Sequence, residues 1–246
     1  MKTNRIVVIT GAAGGMGTKF VERFLQNDDV VFAADVQQDG LQKLKNKLDR
    51  MDQLHIAMCD ISNEDDCNAI AEIARSKCGR VDVLVNCAGY FPIKPFVEMT
   101  SQEWRRVVDI NLTGAFLMCK AIYPLMKGLG WGRIINIGSA STFDGVPGQT
   151  HYVAAKAGLF GFTRSLAREL GDDGITVNIV TPGLTLTPPV RRDTPAELIS
   201  SQIKLRAIGR DEQPVDLVGA VFFLASPDAD FISGQTINVD GGKHML

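Results

Sequence analysis

The chain has 246 residues, 45% hydrophobic and 22% charged, with a net charge of −2; such a chain can bury a large core, and α/β chains of this length often form one domain. It carries no basic block suited to nucleic acid, no apolar run that approaches a membrane span, and an opening apolar run too short for a signal peptide. The five cysteines (Cys59, Cys67, Cys78, Cys87, Cys119) form no C-x-x-C pair beside only three histidines, so the expectation is a cytoplasmic protein with free thiols and no metal.

Residues 6–9 are a β-branched run of the kind found in buried parallel strands. They lead into Thr10-Gly11-Ala12-Ala13-Gly14-Gly15-Met16-Gly17 and then a helical pattern with Phe20, Phe24 and Leu25. Strand, glycine turn and helix present backbone N–H groups and a helix N-terminus to a pyrophosphate. Gly11 allows the tight turn, Gly15 the close approach of phosphates, and Gly17 the packing of the helix on the sheet, with Met16 in the same loop. The next strand, 30–34, ends at Asp35, 18 residues past Gly17, close to the spacing at which a carboxylate meets an adenosine ribose. That carboxylate repels a 2′-phosphate. The following Val36, Gln37 and Gln38 supply no Arg, so NAD is favoured over NADP.

Strands and helices then alternate. A helix is predicted over 41–51, a strand over 54–58 closing in Cys59-Asp60-Ile61, and a helix opened by Ser62 and Asp65 that runs to 78. A strand over 81–85 closes in Asn86-Cys87-Ala88-Gly89. Thr100 and Glu103 form a capping box that opens a helical stretch to 127. Asn111 sits in its middle, where Asn has low helix propensity; it is either a local bend or a functional side chain. A strand over 133–137 leads to Ser139, a loop over 142–149, and a helix over 150–170. The strand 175–180 closes in Thr181-Pro182-Gly183. Thr194 and Glu197 form a second capping box with Pro195 at the first helical position. A helix over 214–224 and a strand over 236–239 complete the chain. The pattern predicts a single α/β domain over 1–246, a Rossmann-type doubly wound parallel sheet of about seven strands with helices on both faces. Its glycine loop is 10–17, its catalytic segment 139–156 and its substrate loop about 184–206. Asp35, Asp60, Asn86, Ser139 and Gly183 fall at carboxyl ends of strands, where such sheets bind ligands.

Tyr152 and Lys156 are four residues apart and so share one helix face. An ammonium about 4 Å from a phenol, at an effective dielectric near 20, contributes roughly 4 kcal/mol. That would bring the phenol from near 10 close to neutrality and make it a usable acid/base. His151 is expected to point off this face, and Cys87, Cys119, Trp104 and Trp131 to be packing residues.

Together these pieces resemble the short-chain dehydrogenase/reductase family across essentially the whole chain. The resemblance rests on Thr10-Gly11-x-x-x-Gly15-x-Gly17, Asp60-Ile61, Asn86-Cys87-Ala88-Gly89, Asn111, Ser139, Tyr152-x-x-x-Lys156, Pro182-Gly183 and Asn238-Val239-Asp240-Gly241-Gly242. Cys87 departs from the pattern, which usually has a second Asn there. The resemblance implies that Tyr152 exchanges a proton with the substrate oxygen and that Lys156 lowers its pKa and holds the nicotinamide ribose. It implies that Ser139 hydrogen-bonds the substrate oxygen and that Asn111 positions a water joining Lys156 to solvent. Asp60 is to contact the adenine amino group beside Ile61, with Asn86, Ala88 and Gly89 along the cofactor groove. Pro182, Gly183 and Thr187 follow, with Thr185 the weaker of the two threonines.

The substrate pocket is expected between Tyr90-Phe91-Pro92-Ile93, the stretch from Ser141 and Phe143 to Val146, and the residues from Leu184 to Val190, all mainly apolar. Reductases of this family that take acyl-carrier substrates usually carry arginines at the mouth, where this chain has Gly130 and Asp173. The expectation is hydride transfer between NAD(H) and a small to medium apolar secondary alcohol or ketone, with aromatic and cyclic compounds included. The segments 86–92 and 130–136 resemble family members that oxidise secondary aryl alcohols such as 1-phenylethanol. The alternatives are a 3-oxoacyl-thioester reductase and an NAD-binding regulator without turnover, the latter opposed by the intact Ser139, Tyr152, Lys156 and Asn111. Apolar residues on several faces of the 100–127 and Tyr152 helices, Phe116 and Phe160 among them, predict a homotetramer or homodimer.

Overall fold

The computed structural model describes residues 4–48, 50 and 52–245. Seven strands form one parallel sheet in the order β3-β2-β1-β4-β5-β6-β7. They are β1 (Ile6–Thr10), β2 (Val30–Asp35), β3 (Leu54–Met58), β4 (Val83–Asn86), β5 (Gly132–Ile137), β6 (Ile175–Pro182) and β7 (Thr236–Val239). The central strands are buried on both faces because helices cover each side, which is why their sequences read as unbroken apolar runs. Under one face lie α1 (Gly15–Gln26), α2 (Gln38–Leu48) and α10 (Val218–Leu224), packed through Phe20, Phe24, Leu41 and Val221. The other is covered by α3 (Glu64–Cys78), α5 (Gly114–Met126) and α7 (Thr150–Glu169), through Ile70, Met118, Ile122 and Phe162. The chain leaves β1 toward β3 and returns to β4, so the order reverses between β1 and β4. Thr10 and Asn86, at the carboxyl ends of these strands, bound the crevice where such sheets take ligands.

Several elements differ from the sequence reading, each for a local reason. The helix predicted over 41–51 begins at Gln38 and extends through Leu48; its predicted end at Asp49 and Met51 lies outside the described residues. The cap of α3 is Asn63, not Ser62. Asn63 Oδ1 accepts the Asp65 and Asp66 N–H groups at 2.8 and 3.4 Å, while Ser62 Oγ turns back to Asp60 Oδ1 at 2.6 Å. The capping box at Thr100 forms as read, but the one at Thr194 does not. Residues Pro188–Asp193 make their own short helix, α8, which Thr194 terminates. The next helix, α9 (Ala196–Lys204), therefore starts with Pro195 as its cap and no side-chain bond. The stretch 142–149 is not all loop, since Ser141–Asp144 winds into the single turn α6.

The stretch over 100–127 is broken into α4 (Ser101–Val108), a π turn (Asp109–Thr113) and α5. Asn111 explains the break. Its Nδ2 donates to Val107 O at 2.9 Å and to Tyr90 O at 2.7 Å, and its Oδ1 accepts the Tyr90 N–H at 3.2 Å. The side chain thus competes with the helix for its own backbone carbonyl, and a π turn results, a feature that concentrates at functional sites. No helix among the described residues is long and apolar enough to cross a membrane.

Candidate active site

Tyr152 and Lys156 lie on the first two turns of α7, and Ser139 follows the end of β5. Lys156 is buried, and its Nζ donates to Ile137 O at 2.7 Å; this bond draws α7 onto the end of β5. Nζ stands 5.9 Å from the centroid of the Tyr152 ring. A β-carbon on Gly89 would lie 3.2 Å from Asn111 Oδ1 and 3.8 Å from Lys156 Nζ. Asn111, Gly89 and Lys156 therefore meet around one small space. The Ser139 hydroxyl lies beside the Tyr152 phenol, and its Oγ stands 2.8 Å from Ser141 Oγ. The four candidate catalytic residues, drawn from the π turn, a strand end and α7, thus converge at one place. His151 does point off this face: it is fully buried, with Nδ1 accepting the Tyr152 N–H at 2.9 Å.

The electrostatics differ from the expectation. Burial pushes the Tyr152 phenol up to about 12, against the lowering effect of the Ser139 hydroxyl beside it. Burial likewise pulls Lys156 down to about 8. Both groups sit where a charge loses its water, so each shifts toward its neutral form. The ammonium expected to bring the phenol near neutrality is itself desolvated, and in the chain alone the lowering does not occur. The neighbouring Cys87 thiol is also pushed up to about 12 by burial, as is Cys119. Both are inert packing groups in this environment.

The crevice between β1 and β4 is built by close backbone approach. Thr10 Oγ1 accepts the N–H groups of Cys87 and Ala88 at 3.1 and 3.2 Å. Gly11 has φ +64°, and a β-carbon there would lie 2.7 Å from Ala88 Cα, so glycine is required twice over. Gly17 meets the loop rather than the sheet, since its β-carbon would come within 2.1 Å of Gly11 O. At Gly15 a β-carbon would meet Thr187 Cγ2 at 2.8 Å, which brings the segment after β6 over the glycine loop. Met16 packs, half-buried, on the core beside it. Asp35 is buried, accepts the Ala13 and Gln37 N–H groups at 3.0 and 2.9 Å, and makes no ion pair among the described residues. Next to it an open depression of about 410 Å³ in the surface is lined by Gln37, Gln38, Asp39, Gly40 and Lys43. A cradle of glycines, a helix N-terminus and an acidic strand end fit a dinucleotide.

Other predicted cofactor residues divide by what their side chains do. Asp60 is exposed, with Oδ1 accepting the Ser62 N–H at 2.9 Å, and Ile61 is wedged beneath Gly114. The Asn86 side chain turns inward instead of lining the groove. Its Nδ2 donates to Asn136 Oδ1 at 2.9 Å, and Asn136 Nδ2 donates to Thr163 Oγ1 at 2.9 Å. Only the backbone of Asn86 remains for the groove. Pro182 O accepts the Ala140 N–H at 2.8 Å. Gly183 N donates to Glu212 Oε2 at 3.1 Å, and Thr185 Oγ1 donates to Glu212 Oε1 at 2.6 Å. Thr185 is thereby occupied, whereas Thr187 reaches the glycine loop. Sequence reasoning missed Glu212, a buried carboxylate with a buried Arg206 3.5 Å away. Charged residues in an apparent surface helix entry carry no sequence signal of burial. It also left Thr10 and Lys43 without roles.

On the substrate side, the Phe91 ring stands edge-on to Tyr152 at 6.1 Å between centroids and is 45% exposed. Phe143 is edge-on to Phe160 at 5.9 Å. Val146 is exposed and Leu184 half-buried. Ser141 spends its backbone N–H and its hydroxyl on Ser139. Asp173 accepts the Tyr123 hydroxyl at 2.7 Å, and Gly130 lies against Gly174 beside it.

A family model described as Enoyl-(Acyl carrier protein) reductase matches residues 11–244. Nodulation protein G of Azospirillum brasilense is 36% identical over 246 residues, covering 98% of each chain. The 2,3-dihydroxy-2,3-dihydro-p-cumate dehydrogenase of Pseudomonas putida is 36% identical over 249 residues, covering 98% of this chain and 95% of that one. The 3-oxoacyl-(acyl-carrier-protein) reductase of Vibrio harveyi is 34% identical over 246 residues, with 98% of each covered. Among solved structures, a short-chain dehydrogenase/reductase from Brucella melitensis superposes with a TM-score of 0.94 at 32% identity, covering 99% of this chain and 98% of the other.

The raised phenol sets a test by alkaline titration. A group with its pKa lifted by burial stays protonated through the range where free tyrosines ionise, near pH 10. In the cofactor-free protein, the phenolate absorbance that Tyr152→Phe removes should therefore develop only above about pH 11. A tyrosinate step below about pH 9 that is lost in the variant would contradict the burial argument.

Proposed function

The chain belongs to the short-chain dehydrogenase/reductase family and is an oxidoreductase of CH–OH and keto groups with a nicotinamide cofactor; on that premise we propose that it transfers a hydride between NAD(H) and a small to medium apolar secondary alcohol or its ketone, cyclic and aromatic compounds included. The observation that carries this reading is the convergence of Ser139, Tyr152, Lys156 and Asn111 beside an apolar wall formed by Phe91 and Phe143.

In the oxidative direction Tyr152 must first lose the proton that burial holds on it; the phenolate, which the Lys156 ammonium and the positive charge of a bound oxidised nicotinamide would stabilise, then takes the hydroxyl proton of the alcohol while Ser139 Oγ–H donates to the same oxygen and holds it. In the reductive direction Tyr152 returns that proton to the forming alkoxide. Lys156 commits one proton to Ile137 O and has two more N–H donors for ribose hydroxyls. Asn111, at the Gly89 backbone, holds the place of a water between Lys156 and solvent. The bound nicotinamide supplies or accepts the hydride. Gly11, Gly15, Met16 and Gly17 would hold the pyrophosphate, Asp35 the adenosine ribose, and Asp60 with Ile61 the adenine. Asn86 (through its backbone), Ala88, Gly89, Pro182, Gly183 and Thr187 line the remaining groove. The name of the Pseudomonas relative, a dehydrogenase of a dihydrodiol, supports an alcohol on a ring. The name of the Vibrio relative supports the second reading, a 3-oxoacyl-thioester reductase. Against it, Asp173 presents an acid where an acidic carrier would need a cation.

A panel of aryl, cyclic and aliphatic secondary alcohols with NAD, and of ketones and an acetoacetyl thioester with NADH, each repeated with NADP(H), tests the reading. Aryl or cyclic substrates should lead. Strong preference for the thioester with NADPH would replace this reading with the second. Within that assay Tyr152→Phe should keep the fold and cofactor binding and lose about two orders of magnitude or more in turnover, the scale of acid–base catalysis.

The preference for NAD(H) rests on Asp35, which faces a 2′-phosphate with like charge; Lys43, the nearby cation, shares its depression with Asp39. Asp35→Ser should narrow the preference mainly through the cofactor KM. Equal catalytic efficiency with NADP in the unsubstituted protein would defeat the proposal. The expectation of assembly rests on single large apolar side chains left at the surface of α4 and α5, where Trp104 and Phe116 stand 39% and 46% exposed. A homodimer or homotetramer should be found by light scattering at micromolar concentration, and a monomer there would contradict it.

A further inference from the structure

The segment after β7 does not trail into solvent. Asp240, almost fully buried, accepts the N–H groups of Gly242, Lys243 and His244 at 3.0, 3.1 and 3.1 Å, so the chain turns tightly around one carboxylate. The turn delivers two side chains to the far end of α6. Lys243 Nζ lies 2.6 Å from Asp144 Oδ2, and His244 Nε2 lies 3.2 Å from the same oxygen. The other ring nitrogen, Nδ1, is 2.7 Å from Asp240 Oδ2. The imidazole thus bridges the carboxylate that anchors the tail and the carboxylate that ends α6. Its ring also stands 5.4 Å from the ring of Phe143, whose opposite neighbour is Phe160 of α7. The α6 turn has only four residues, too few to hold its own shape by hydrogen bonding. Burial alone would raise the Asp144 carboxyl, but Lys243 and His244 outweigh it and hold the group below its ordinary range.

We propose that the C-terminal segment is a strap and that His244 is a specificity-determining positioning residue: it fixes Phe143 against Phe160 and so sets the width of the pocket beside Ser139 and Tyr152. The proposal rests on the reading of residues 141–146 as a substrate wall. A partly exposed pair such as Lys243–Asp144 contributes little to global stability. The strap therefore acts on the position of one aromatic ring, and its loss leaves the sheet and the cofactor groove intact. A flexible wall admits bulkier alcohols and holds small ones less well.

The test uses the full-length enzyme and His244→Ala, with Asp144→Asn removing the same contact from the other side. Two quantities are read: amide hydrogen exchange of the peptide covering 141–147, and kcat/KM across secondary alcohols of increasing ring size, with the cofactor KM alongside. Both variants should exchange faster over 141–147. The ratio of kcat/KM for bulky to small alcohols should shift by about tenfold, the scale of a reshaped apolar pocket wall, through alcohol KM more than kcat and with the cofactor KM unchanged. Unaltered exchange overturns the strap. Faster exchange with an unaltered size preference overturns the specificity role. If the unsubstituted enzyme turns over no alcohol, it is the substrate reading that fails, and the exchange measurement, which needs no substrate, decides the strap by itself.

Discussion

An ammonium buried in a protein loses its water, and unless another group takes over the hydrogen bonds it either neutralises or unfolds its surroundings. Lys156 is placed under this constraint, and the Ile137 carbonyl answers it. Because the carbonyl belongs to the last residue of β5, the bond sets the distance between the sheet and α7, and hence the reach of Tyr152. That single bond leaves the lysine incompletely satisfied, and burial pulls it down to about 8. A site with two donors unused and a neutral phenol next to it is arranged to receive hydroxyl groups, which is what a ribose and an alcohol offer.

The crevice depends on a second constraint of the same kind. Strands β1 and β4 must come close at the point where the sheet order reverses, and at their ends backbone N–H groups run out of ladder partners. The Thr10 hydroxyl takes two of them. Below it, the Asn86–Asn136–Thr163 chain of hydrogen bonds carries the connection inward through β5 to α7. A buried hydrogen-bonded chain of this sort favours one arrangement among many that an apolar core would tolerate, although Asn86 Oδ1 finds no partner among the described residues. The glycine loop and α7 are therefore tied to one another by polar contacts through the sheet.

Much of this was legible in the sequence because it is periodic or local. Strand runs, the glycine loop, the Thr100 capping box and the i, i+4 pair of Tyr152 and Lys156 depend on neighbours within a few residues. The errors fall where a choice between neighbours is decided by tertiary contact. Ser62 and Asn63 are both competent caps, and Asp60 settles the matter by taking the serine hydroxyl. Thr194 would cap a helix had Pro188–Asp193 not already used it as a terminus. The Tyr152 phenol differs from the expectation for another reason: attraction to a neighbouring ammonium can be inferred from spacing, whereas loss of water follows from what the fold stacks around the pair. Glu212 and the inward turn of Asn86 were out of reach for the same reason, since a sequence position does not report burial.

The π turn at Asn111 carries a consequence for how this chain can change over evolutionary time. Each residue of an α-helix advances the side-chain direction by about 100°, and a π turn holds one residue more than an α turn. The wide turn takes up the extra residue, so α5 faces the sheet through Met118 and Ile122 as an unbroken helix one residue shorter would. A single deletion in 109–113 would close the turn to α-helix and leave that apolar seam in place, while removing the position from which Asn111 reaches Tyr90 and Val107. The core therefore does not register a one-residue change of length here and the site does: descendants that lose a residue in this turn keep the sheet packing and give up the asparagine's bonds.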